Sequence, residues 1–177
     1  MSGHSKWHQI KHRKEAADQK RGALFSKILK AISVAARENA DPALNPRLKT
    51  AIEKARVANV PNDNIERSIS RSSENKQLEE LVLEAYGPEG SAIIIEAVTD
   101  NRNRTIAEIK HILGEYEAKL GEQGSARWAF DPPAGGTGDW RSKFTQTVSE
   151  TSKTKLDGLV VALEEHGDIQ KVTTNTQ

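Results

Sequence analysis

The chain has 177 residues, of which 36% are hydrophobic and 29% charged, with a formal net charge of +1 and no cysteine. That length accommodates one or two small domains. The missing cysteines exclude disulfides, thiolate metal sites and cysteine catalysis, and no apolar run approaches the roughly 18 residues that a membrane span needs. The near-neutral total hides an asymmetry: residues 1–73 hold 15 Lys/Arg against 7 Asp/Glu, and residues 74–177 hold 11 against 18. A split of this kind joins a polyanion-binding part to an acidic one. No apolar leader opens the sequence, so a cytoplasmic location is expected.

Residues 1–72 read as a basic helical domain. In "KRGALFSKILKAISVAARE", Leu24, Phe25, Ile28, Leu29 and Ile32 fall at helical spacing and form one apolar stripe. "NADPALNP" interrupts the pattern with Asp41-Pro42 and Asn45-Pro46 as stop and start signals. The next helix turns Leu48, Ile52, Ala55 and either Val57 or Ala58 inward. A third follows from "PNDNIERSISR", capped by Asn62 or Asp63, with Ile65 and Ile69 four apart. Three such helices make a small bundle.

Residues 73–79 are polar and unpatterned, a linker. Residues 80–177 then read as an α+β domain. "LVLEAYG" and "SAIIIEAVTD" are strands joined at "PEG"; "RTIAEIKHILGEYEA" is a helix in which Thr105 and Glu108 resemble a displaced capping box. "SARWAF" and "KFTQTVSE" read as strands separated by the loop 131–142. "KTKLDGLVVALEEHG" is a helix ended by Gly167, and "DIQKVTTN" is the last strand. The order β-β-α-β-β-α-β predicts an antiparallel, ferredoxin-like sheet with two helices on one face.

Three stretches together carry a resemblance: "GHSKWHQIKHRKEAADQKRG", "YGPEGSAIIIEAVTDNRNRT" and "DIQKV". The chain resembles the YebC/PmpR family, which includes bacterial proteins known as DNA-binding transcriptional regulators and the mitochondrial translational activator of cytochrome c oxidase. The resemblance implies an amino-terminal helical domain and two α+β domains, one inserted into the other. Here the inserted third domain is expected to be absent, because only "DPPAGGTGDWRS" stands at its place. The glycine-rich loop expected before "DP" is also replaced, by "ENADP".

The basic start carries the main functional expectation. Cations along a helix neutralise phosphates and release counterions, giving affinity that does not depend on base sequence. Lys6, Lys11, Arg13, Lys14, Lys20 and Arg21 are the candidate phosphate contacts, with His12 as a hydrogen-bond donor. Trp7 either stacks on a base or anchors the segment to the bundle. Lys27 and Lys30 form a second tier. So do Arg102 and Arg104 of "TDNRNRT", near the positive end of a helix where an anion is welcome. The bland alternatives are a solvated helix face and a capped turn.

Other chemistry is weakly supported. His4, His8 and His12 have the spacing of a metal-binding helix face, but the surrounding lysines and missing acids argue against a metal there. "YGPEG" lacks the helix and lysine of a phosphate loop. Glu96, Asp100 and Glu108 could be imagined as paired carboxylates or magnesium ligands, yet no motif of a known catalytic apparatus is present. No catalysis, cofactor, small-molecule substrate or membrane partner is expected. The expected function is nucleic-acid-binding regulation of gene expression, with DNA or RNA as the partner; the resemblance implies a DNA-binding transcriptional regulator, while the absence of a clear recognition helix tilts toward RNA. A ribosome- or rRNA-binding translational activator and a protein-interaction adaptor are the alternatives.

Overall fold

The protein is described from a computed structural model, which covers residues 3–74, 77–134 and 138–177, with side chains from Lys14 onward except Ala16. It is an α+β structure of helices followed by an antiparallel sheet. Three helices come first: α1 (Gly3–Ala35), α2 (Pro46–Val57) and α3 (Asn62–Ser70). Ile32, Leu48, Ile52, Ala55, Val60 and Ile65 form their shared core, with Phe25, Ile28 and Leu29 at its margin.

The lengths of these helices decide what is exposed. At 1.5 Å per residue, the 33 residues of α1 span about 50 Å, whereas the 12 residues of α2 span about 18 Å. Among the described residues of α1, only those from Phe25 onward therefore join this shared core. Leu24, expected inward, lies just beyond that cover and is 46% exposed. Val57 is exposed and Ala58 takes the inward position.

Asn45 fixes the joint between α1 and α2. Its side-chain oxygen accepts from the Leu48 N–H at 2.9 Å, and its amide donates to the carbonyls of Ala35 at 2.8 Å and Asn39 at 2.7 Å. One buried residue thus caps the start of α2 and the end of α1, with Pro46 pre-set for the first turn. At α3 the expected Asn62 or Asp63 cap is not used: Pro61 holds the capping position without a side-chain bond.

The sheet has the order β3-β1-β2-β6, all neighbours antiparallel, from β1 (Glu79–Tyr86), β2 (Ala92–Thr99), β3 (Lys119–Leu120) and β6 (Ile169–Thr174). α4 (Arg102–Glu115) and α5 (Glu150–Glu165) cover one face. Alternation along β2 sends Ile93, Ile95 and Ala97 into that core. Ala92 and Ile94 point the other way and pack under Ala126, Ala129, Phe130 and Trp140.

Two expected strands are corrected. Most of "SARWAF" is a turn, with a short 3₁₀ segment at Arg127–Ala129. Only Phe130–Asp131 (β4) is extended, pairing with Arg141–Ser142 (β5) as a two-residue ribbon at the neck of the loop 131–142. "KFTQTVSE" contributes one isolated bridge, Gln146 to Thr176. The reason for the first correction is Glu84. This side chain, 2% exposed, accepts the backbone N–H groups of Gly124, Ala126 and Arg127 at 2.7–2.8 Å. A carboxylate that gathers three donors from four consecutive residues curls the chain around itself and denies those groups to a strand ladder. Burial pushes the Glu84 carboxyl up, but the three backbone donors and Arg127 outweigh this and hold it below its ordinary range. Replacing Glu84 by Gln is expected to cost about 2–3 kcal/mol, because an amide cannot accept all three bonds with both ends. Faster amide exchange at Gly124, Ala126 and Arg127 would report it.

Candidate nucleic-acid interface

The stretch of α1 from Lys14 to Leu24 is the first part of the candidate interface. Every residue from Lys14 to Leu24 whose side chain is described is exposed. Lys14, Lys20 and Arg21 stand on this stretch, and the Arg21 guanidinium lies 5.2 Å from the centre of the Phe25 ring, where the packed part of α1 begins. Lys6, Trp7, Lys11, His12 and Arg13, with His4 and His8, belong to the same helix, but their side chains lie outside those described. A helix that is polar all round gains little from burial. Among the described residues, the part of α1 before Phe25 presents charge without joining the core of the bundle.

The other cations have structural partners. Lys20 lies 3.7 Å from Glu165. Lys27 donates to the Glu164 carbonyl at 2.7 Å, capping the end of α5. Burial pushes the Lys27 ammonium down, with the Glu164 charge opposing. Lys30 donates to Asp168 Oδ1 at 2.6 Å. Lys27 and Lys30 therefore clamp α1 onto the α5–β6 corner, while the Lys20–Glu165 pair is a loose contact between exposed side chains.

Asp168 is the hub of that corner. Besides Lys30, it accepts from Arg104 Nη2 at 2.8 Å and from Thr105 Oγ1 at 2.7 Å, and its side chain is only 5% exposed. Thr105 also bonds Thr99 Oγ1 at 2.7 Å. The "TDNRNRT" and "DIQKV" stretches thus meet in one network, joined by Lys30 from α1. Burial pushes the Asp168 carboxyl up, but bonds from Lys30, Thr105 and Arg104 overcome it and hold the group far below the usual carboxylate range.

This hub also answers whether "TDNRNRT" attracts an outside anion. Asn101 caps α4 by accepting from the Arg104 N–H at 3.1 Å, so Thr105 is freed from the expected capping box and turns inward. The anion at the first turn of α4 is the protein's own Asp168. Arg104 spans Asp168 and Asp100, and Arg102 lies 3.6 Å from Glu79. α5 is served in the same way. Glu89, at the left-handed tip of the "YGPEG" hairpin, accepts from the Ser149 N–H at 3.2 Å and from the Ser149 hydroxyl at the N-terminus of α5. At Gly87 a Cβ would come within 2.7 Å of Ser91 Oγ and 3.1 Å of Leu156, so those side chains would have to shift to admit a larger residue.

The imagined carboxylate set is not assembled. Glu96 sits on β2 facing a cleft of about 730 Å³ between the helices and the sheet. Burial raises its carboxyl above the ordinary range. Asp100 is held by Arg104, and Glu108 accepts from His166 Nε2 at 2.8 Å. Glu108, His166 and Asp168 do bring three possible metal-ligand atoms within 4.8 Å of one another. Lys30 and Arg104 already occupy the oxygens of Asp168, and His166 Nδ1 accepts the Asp168 N–H at 3.1 Å. This is ion-pair chemistry, and two adjacent cations oppose a metal. Among the described residues, no helix is long and apolar enough to cross a membrane.

A basic helical arm clamped to an antiparallel α+β layer through a buried aspartate is the class of protein that this geometry defines. The chain belongs to the TACO1/YebC family: its N-terminal domain matches residues 5–75, and its second and third domain matches residues 78–134. A "probable transcriptional regulatory protein" of Trichlorobacter lovleyi is 53% identical over 135 residues, covering 74% of this chain and 55% of the relative. One of the same description from Solibacter usitatus is 42% identical over 164 residues, covering 91% and 63%. The crystal structure of a conserved hypothetical protein from Aquifex aeolicus superposes with a TM-score of 0.80 at 30% identity, covering 90% of this chain and 91% of that one. The chain thus spans little more than half the length of the curated relatives it matches. The second family match ends at residue 134, inside the loop that β4 and β5 close at its neck.

Proposed function

We propose that the chain is a nucleic-acid-binding regulator of gene expression whose contact element is the outer part of α1. The observation that carries this reading is the exposed stretch from Lys14 to Leu24, which presents charge without joining the core of the bundle. The N-termini of α4 and α5, two further places where a phosphate would be welcome, are served by Asp168 and Glu89. α3, which follows α2 after a short turn as a recognition helix would, opens with Asp63 and Glu66 toward solvent, the wrong sign for a groove. The names of the relatives point to transcription, and DNA is the first target.

The second reading, a ribosome- or rRNA-binding translational activator, has one observation in its favour. A single long helix with no paired recognition element reads backbone and shape, as suits structured RNA. We further infer that the loop 131–142 marks where relatives carry an additional domain. The test is ultraviolet crosslinking of the intact protein in cells, followed by sequencing of the bound nucleic acid. Enrichment of promoter DNA supports the first reading, rRNA supports the second, and no crosslinked nucleic acid overturns both.

A further inference from the structure

We propose that Trp128 and Phe144, with Lys143 beside them and Arg141 two residues before it on β5, form a stacking platform for single-stranded nucleic acid, a second contact distinct from α1. It rests on the reading that this protein binds nucleic acid.

Trp128 and Phe144 are large aromatics left 59% and 53% exposed, and they lie against each other with ring centres 5.9 Å apart. The other large exposed hydrophobics among the described residues, Leu24, Leu44, Val57, Val82 and Val161, are aliphatic, so this is the one pair of exposed aromatic rings among them. Lys143 Nζ is 5.6 Å from the centre of the Phe144 ring, and Arg141 is exposed two residues upstream. Of the neighbouring acids, Asp139 bonds Lys171 at 2.6 Å, and Asp131 is an exposed residue paired in backbone register with Arg141. Local positive charge beside bare aromatic rings, inside the acidic half of the chain, is the pairing that single strands use: bases stack on the rings and phosphates follow the cations.

The platform is also held in place. Trp128 rides on the turn that Glu84 gathers. The Ala129 carbonyl accepts the N–H groups of Lys143 at 2.9 Å and Phe144 at 3.4 Å. From the other side, Asn175 donates to the Phe144 carbonyl at 3.2 Å, and its own carbonyl accepts the Gln146 N–H at 2.7 Å. Neither ring contributes to a core, yet both backbones are fixed, so little ordering remains to be done on binding.

The test titrates the full chain with twelve-nucleotide oligo-U, oligo-dU and a duplex of the same length, following tryptophan fluorescence and anisotropy. The double variant W128A/F144A is expected to bind the single strands on the order of ten- to a hundredfold more weakly while binding the duplex as wild type. W128F/F144Y is expected to restore most of the loss, and the sugar preferred by wild type identifies the source. Because both side chains are exposed, the melting temperatures of the variants should match wild type, which separates lost contact from lost fold. Unchanged single-strand affinity in W128A/F144A overturns the platform and leaves α1 as the nucleic-acid contact. Wild type binding neither strand nor duplex overturns the underlying reading as well. Self-association that vanishes in W128A/F144A, with no effect on oligonucleotides, assigns the patch to a second copy of the chain and also overturns it.

Discussion

Replacing Asp168 by Ala is expected to lower stability by about 3–5 kcal/mol, the range for breaking a buried, hydrogen-bonded charge cluster from one side. The substitution strands Lys30, Arg104 and Thr105 without their shared acceptor. For a chain of this length the melting temperature should fall by roughly 6–20 °C. The loss should be local as well as global, since Lys30 ties α1 to the α+β layer through this carboxylate. Limited trypsin digestion should therefore cut at Lys27 and Lys30 sooner in D168A than in wild type, relative to exposed sites such as Lys110. A melting temperature within 2 °C of wild type would mean that the hub does not hold the two parts together.

The same group sets a pH signature. In the folded protein, bonds from Lys30, Thr105 and Arg104 hold the Asp168 carboxyl far below the value of about 3.9 that it has in the unfolded chain. The unfolded state thus binds the proton first as pH falls. The contribution of this residue is complete above the unfolded value and is lost as pH drops below it toward the folded one. The difference in stability between wild type and D168N should be constant from pH 8 to about pH 5 and shrink below pH 4. A difference that grows on acidification would contradict the assignment.

The second large effect concerns binding. Reversing three charges together, K11E/R13E/K14E, is expected to weaken binding to duplex DNA or structured rRNA on the order of a hundredfold or more at ~0.1 M salt, because phosphate contacts become repulsions. Glu is nearly as good a helix former as Lys or Arg, so α1 should survive the change. The matched control is K110E/K119E/K153E, which removes the same charge from exposed positions in the acidic half. It should leave affinity within a few fold of wild type. Equal losses in the two variants would make binding a matter of total charge and remove the special role of α1.

Much of the fold could be read locally because its signals are local. Phe25, Ile28, Leu29 and Ile32 announce their stripe by spacing, Asn45-Pro46 starts α2, and the "YGPEG" hairpin lies where its turn residues place it. The misread elements depend on distant partners. Serine, alanine and aromatic residues alternate in "SARWAF" as they would in a strand, but Glu84, some forty residues earlier, claims their N–H groups. "KFTQTVSE" alternates too, yet it finds only the single bridge to Thr176.

The site was partly legible for the same reason. A lysine that clamps a helix and a lysine that waits for phosphate look alike in sequence. Lys27 and Lys30 are distinguished only by the end of α5 and by Asp168, both more than 130 residues away. Arg104 likewise advertised an anion, and the anion is supplied from 64 residues downstream. Trp128 and Phe144 gave no separate signal, because an aromatic in an alternating stretch reads as core.

The central claim is that α1 meets phosphate. It is tested most directly by the salt dependence of binding, measured for wild type and K11E/R13E/K14E on the same duplex and on the same rRNA fragment. Each neutralised phosphate contributes a slope of about −0.9 in log affinity against log salt for duplex DNA. If α1 makes the contact, wild type shows a steep slope on at least one target, and the triple variant loses roughly 2–3 units of it. A slope that is the same in both proteins would contradict the account.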